Sequence, residues 1–176
     1  MVGDNLSLIV ASFDDAQSAQ AAHGVLKDAE STGDLKLVGS VVLTRDAQGK
    51  VHVNVSGDRA VPAGAVVGGL TGLVIGLFAP PLLLMVLGGA AVGAGIGELV
   101  KRHEETRIGV DYEEYLPRGS SAIAAVVDNT YVDRVEASLT KATKKVRKAV
   151  ESGDYATVRK ALEDAGITVA DAIESA

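Results

Sequence analysis

AVPAGAVVGGLTGLVIGLFAPPLLLMVLGGAAVGAGIG, residues Ala60 to Gly97, fills every position between Arg59 and Glu98 without one charged side chain. Ala79-Pro80-Pro81 splits the run: proline donates no backbone hydrogen bond and clashes with the preceding turn, so one helix ends there and another begins. The first half sets Gly64, Gly68, Gly72 and Gly76 at four-residue spacing, and the second sets Gly89, Gly93 and Gly97 likewise. Residues four apart stack on one helix face, and a row of glycines there lets another helix approach to near backbone contact. Each helical glycine costs about 1 kcal/mol against alanine, which is tolerable where close approach is rewarded. Roughly Pro62 to Val100 therefore predicts a helical hairpin built for helix–helix association.

Such a hairpin is expected in a non-enzymatic, self-associating protein inserted in a membrane, with a soluble assembly as the alternative. Each half is about 18 residues, near the ~20 that cross a ~30 Å hydrocarbon core, which points to a lipid bilayer. The chain has no Trp and no Tyr belt beside the spans, so the usual interfacial anchors are missing. A soluble homo-oligomer, a ring, shell or filament whose hairpins bury against each other, meets the same pattern. A glycine-rich loop fits worse, because Leu, Val, Ile and Ala fill the remaining positions. If the hairpin spans, Arg59, Lys101 and Arg102 flank its open end while Phe78, Pro80 and Pro81 lie at its tip. The positive-inside tendency then puts both termini in the cytoplasm; the alternative is a soluble cytoplasmic assembly.

Outside the hairpin the chain reads as an α+β body, residues 1–59 and 103–176, with 60–102 as the insertion. Leu6 to Phe13 is a short apolar, β-branched run and reads as a buried strand. Asp14 offers an N-cap to a helix ending near Ser31, whose Ala19, Ala22, Leu26 and Ala29 recur at helical spacing. Gly33 closes it as a C-cap. Leu35 to Thr44 makes a second strand. Arg45 to Lys50 is a turn with Gly49 placed for a left-handed residue, and Val51, Val53 and Val55 alternate with polar residues as a third strand. Tyr112 to Tyr115 suggests a short helix, Pro117-Arg118-Gly119 a turn, and Ser121 to Val127 a fourth strand. Long amphipathic helices are expected over Val132–Val150 and Asp154–Ala165. Four strands with intervening helices give a ferredoxin-like sandwich whose middle carries the hairpin.

On the expected helix over 132–150, Arg134, Lys141, Lys144, Lys145 and Lys148 fall within about a third of the circumference at 100° per residue. A solvated face is the plain reading. The sharper one is contact with anionic lipid headgroups, worth ~1 kcal/mol per basic residue.

Several functions find no support. The net charge of −6 argues against a nucleic-acid partner, which needs a clustered positive field. Without cysteine there is no disulfide framework or thiolate metal site. Met1 to Leu6 holds Asp4 in place of a basic n-region, so no export signal is expected there. His23, His52 and His103 are scattered, and His103-Glu104-Glu105 with Glu98 reads as charged surface, since adjacent helical residues point apart. Gly64-Ala-Val-Val-Gly68-Gly69 lacks the Gly-Lys-Ser/Thr of a phosphate loop. No catalytic constellation stands out, so no enzyme, metal or cofactor is expected.

The strand Leu8-Ile-Val-Ala-Ser-Phe13-Asp14-Asp15, the turn Arg45-Asp-Ala-Gln-Gly-Lys50-Val51, the zippered Gly64 to Gly97 and the run Tyr115-Leu-Pro-Arg-Gly-Ser-Ser-Ala-Ile123 come in an order that resembles the bacterial domain-of-unknown-function 1269 family. The last run is similar to that family's L-x-P-G-S-S-A-L, with Arg118 inserted between proline and glycine. The resemblance covers about residues 6 to 165. It implies a ferredoxin-like body carrying a glycine-zipper hairpin, in proteins often labelled membrane proteins, and it brings no catalytic residues.

Overall fold

The computed structural model describes residues 5–54, 60–62 and 110–150, together with Val74, Leu77, Phe78 and Ala156. Its frame is one sheet of six strands, β1 (Leu6–Phe13), β2 (Leu37–Arg45), β3 (Val51–Asn54), β4 (Ala60–Pro62), β5 (Ser121–Asp128) and β6 (Lys144–Val150), in the order β4-β3-β2-β5-β1-β6. Every pairing is antiparallel. Among the described residues three α-helices of four residues or more accompany it: α1 (Ser18–Ser31), α2 (Tyr112–Tyr115) and α3 (Val132–Ser138). The protein is thus mixed α and β around an antiparallel sheet.

β5 lies at the centre with β1 beside it, between β5 and β6, and all eight residues of β1 are buried. That explains why it reads as a continuous apolar run and not as an alternation: both faces are covered. Ile9, Ala11 and Phe13 point into a core shared with Ala19 and Leu26 of α1 and with Val132, Val135 and Leu139 at α3. Leu6, Leu8 and Val10 point to the opposite face, into a second core.

Local chemistry sets the ends of α1. Asp15, not Asp14, organises its start: one carboxylate oxygen accepts from the Gln17 and Ser18 amides at 2.8 and 2.7 Å. These bonds and the Ser18 hydroxyl, which is the largest influence, hold the Asp15 carboxyl below its ordinary pKa. At the other end Gly33 takes φ +83°, with Asp34 N donating to Ala29 O and Gly33 N to Glu30 O. That is the double bond of a Schellman cap. Gly49 also stands at positive φ, +89°, in the turn between β2 and β3.

One expected element is overturned. The helix over Val132–Val150 stops at Ser138, and Lys144–Val150 is β6, paired along β1 from Ser12↔Lys144 to Leu6↔Val150. Thr143 makes the switch, its amide and hydroxyl both donating to Ser12 O at 2.8 and 3.1 Å. Helical propensity in a run of Lys, Arg and Ala is a weak preference, and pairing with a buried strand outweighs it. The sheet also continues past residue 59 as β4. The seven zipper glycines, Gly64, Gly68, Gly72, Gly76, Gly89, Gly93 and Gly97, lie outside the described residues. So does the expected helix over 154–165, apart from Ala156, which is helical and exposed.

Candidate functional site

The sheet face away from α1 and α3 holds the arrangement that bears most on function. Leu8, Val10, Val41, Leu43, Val51, Val53, Ala122, Ala124 and Val126 line it, each almost fully buried. Among the described residues, what lies against them is Val110, Leu116, the rings of Tyr112 and Tyr115, and three residues of the charge-free run. Val74 is 1% exposed, Leu77 6% and Phe78 0%. The Phe78 carbonyl accepts from Val110 N at 2.9 Å. Phe78, expected at the remote tip of a hairpin, sits in the core of the body.

Arg45 fastens one corner of this face. Its guanidinium donates to Gly49 O at 3.2 Å and to Leu116 O at 3.3 Å, and lies 5.5 Å from the Tyr112 ring centroid. Its backbone is bonded too, Gly119 N donating to Arg45 O and Arg45 N to Ser120 O. Arg118, the residue inserted into the Pro-Gly pair, lies over Gly49. Ser120 Oγ donates to Pro117 O at 2.6 Å. The buried Ser121 hydroxyl donates to Asp15 O and accepts from Ala19 N, tying the start of α1 to β5. The two runs Arg45–Lys50 and Tyr115–Ile123, distant in sequence, thus interlock, and their residue types are accounted for by turn geometry and hydrogen bonding.

The basic residues do not form one face. Arg134 is on α3, donates to Asp34 O and lies over the Tyr131 ring. Lys141 is in the loop after α3, beside a groove of about 230 Å³ shared with Ala21, Ala22 and Val25 of α1. Lys144, Lys145 and Lys148 are on β6, where alternation puts Lys144 and Lys148 on one face and Lys145 on the other. Lys144 Nζ is 3.5 Å from a Glu114 oxygen, and Lys145 donates to Glu136 O. The single cationic helix stripe is therefore replaced by a cationic strand with outliers.

Of the histidines, His23 is buried under α1 with Nε2 2.9 Å from Ser40 Oγ on β2. Burial, then the nearby Lys27 charge, lower its pKa, and Glu30 opposes them. His52 pairs with Asp46 at 3.1 Å. Among the described residues no group of three His, Cys, Asp or Glu side chains is placed to hold a metal ion, and no helix is long and apolar enough to cross a membrane.

The sequence reading missed Arg45, Phe78 and His23 as organising residues. Only Phe78 left a signal, as a large aromatic in a run otherwise built from aliphatic and small side chains.

A family model described as a protein of unknown function, DUF1269, matches residues 65–163, more than half of the chain, and the protein belongs to that family. The match takes in the charge-free run from residue 65 on, α2, β5, α3 and β6, and leaves β1 to β4 outside it. No curated protein and no solved structure matches the chain.

Proposed function

We propose that this chain is a non-enzymatic, self-associating protein whose body is a ferredoxin-like sandwich and whose zippered run contacts other copies while Val74, Leu77 and Phe78 in its middle close its own sheet. The strand order β2-β5-β1-β6, with helices after β1 and β5, supports the sandwich, and β3 and β4 are added at its edge. Glycine spacing supports close helix contact.

The observation that carries the choice of surroundings is Phe78. A hairpin crossing a bilayer would carry its tip about 27 Å from its open end, at 1.5 Å per helical residue. Phe78 instead lies in one buried cluster with Leu8, Val10 and Leu43. That favours a soluble homo-oligomer in which the run buries against protein. The second reading, membrane insertion with both termini cytoplasmic, rests on the length of the charge-free run and requires this sheet face to be uncovered and reburied.

Fractionation of untagged protein separates the two. Recovery in a high-speed supernatant without detergent is expected, and quantitative pelleting with membranes, released by detergent alone, would reverse the choice. For self-association, the Gly72→Leu/Gly93→Leu double variant is expected to shift to smaller species on light scattering; an unchanged mass would sink the zipper contact.

A further inference from the structure

β6 ends the sheet, and among the described residues it pairs with β1 alone. Its seven residues, Lys144-Lys-Val-Arg-Lys-Ala-Val150, hold four cations and no acid in a chain whose net charge is −6. Among the described residues two of the four have anionic neighbours, Lys144 with Glu114 at 3.5 Å and Arg147 with Asp133 at 3.7 Å, and every side chain in those pairs is more than half exposed. Such pairs are weak and readily exchanged.

We infer that β6 is a docking edge for an acidic, extended segment of a partner protein, which adds to the sheet as a seventh strand. An edge strand presents a row of backbone donors and acceptors, and strand addition uses them directly. A strand laid beside β6 brings its side chains about 5 Å from those of β6 on both faces. Acidic residues on one face then meet Lys144 and Lys148, and on the other Lys145 and Arg147. A second β6 is a poor occupant, because Lys and Arg would oppose one another. A planar anionic membrane is a poor one too, since it meets the cations of one sheet face only.

The test uses the full-length protein and a dye-labelled peptide, Thr-Glu-Asp-Val-Glu-Asp-Thr, read by fluorescence anisotropy. Saturable binding that weakens with salt is expected, with none for the counterpart carrying Lys in place of each acid. The Lys145→Glu/Lys148→Glu variant, its fold checked by circular dichroism, is expected to bind about tenfold more weakly. Should that variant not fold, the native protein still decides the matter with a peptide N-methylated through its central residues, which keeps the charge and loses the backbone donors. Loss of binding on N-methylation supports strand addition. Equal binding of the methylated peptide would overturn it, as would absence of saturable binding, or binding to phosphatidylserine vesicles but not to the peptide.

Discussion

Gly49 and Gly24 show how one residue type carries opposite consequences. At Gly49 the backbone has φ +89°, and an added Cβ would meet Arg118 Nε at 3.1 Å. Gly49→Ala is expected to lower stability by about 1–3 kcal/mol, the usual cost of a side chain in a sparsely populated backbone region. Gly24 lies on the exposed side of α1, where an added Cβ would meet nothing within 4 Å, and Gly24→Ala is expected to raise stability by about 0.5–1 kcal/mol. Urea midpoints for the two variants should move in opposite directions from the native value. His23 makes the fold sensitive to pH. Its pKa is lowered from 6.5 in the folded state, so below about pH 6.5 the unfolded chain binds more protons and folding weakens as pH falls, while above that value the residue contributes no pH dependence. Urea midpoints measured across that range should decline on the acid side, and His23→Gln should flatten the decline. A separate loss should set in as pH falls through about 3.8, where Asp15, Asp46 and Asp128 take up protons in the unfolded chain while their lowered pKa keeps them ionised in the fold.

Among the elements, the boundary between α3 and β6 was the least legible in the sequence. No glycine or proline separates Ser138 from Lys144, so local signals let the helix run on, and Ala142, Val146 and Ala149 even continue its periodicity. The information that stops it is long-range, since Ser12 O receives both polar groups of Thr143 from across the fold. By contrast β1, β2, β3 and β5 were readable from apolar, β-branched runs, and the turns from Gly33, Gly49 and Gly119, because those features act within a few residues. The site was less legible than the fold. Arg45 ends β2 beside a turn rich in polar residues, and only its partners after α2, Leu116, Gly119 and Ser120, show that it is a clamp. Thr143→Val should cost about 0.5–1.5 kcal/mol in chemical denaturation, removing the hydroxyl bond while leaving the amide bond in place. An unchanged midpoint would show that the amide alone holds the start of β6.

At the scale of the molecule, the two cores are unequal in origin. The one under α1 and α3 is closed by helices that directly follow strands in the chain. The other is closed from within the charge-free run, so the integrity of the body and the placement of that run are one question. Phe78→Ala is expected to lower the stability of the whole sheet by about 3–5 kcal/mol, the range for deleting a buried aromatic. The measurement is hydrogen exchange at Leu8, Val10 and Val126, far from residue 78 in sequence. Protection unchanged from the native protein would mean that Phe78 does not stabilise the sheet, and would restore a hairpin that stands apart from the body.

The pairing of β1 also dictates how the chain must be made. Leu6 pairs with Asp128 on one side and with Val150 on the other. During synthesis at about 5–20 residues per second, β1 waits on the order of ten seconds before either neighbour exists. The apolar run, residues 60–97, is made within that interval and also precedes β5, so it too has no completed sheet to cover when it is synthesised. Nascent chains of this protein should therefore depend on chaperones more than an 18.0 kDa protein ordinarily would, and their yield should respond more to translation speed than to the equilibrium stability of the finished fold.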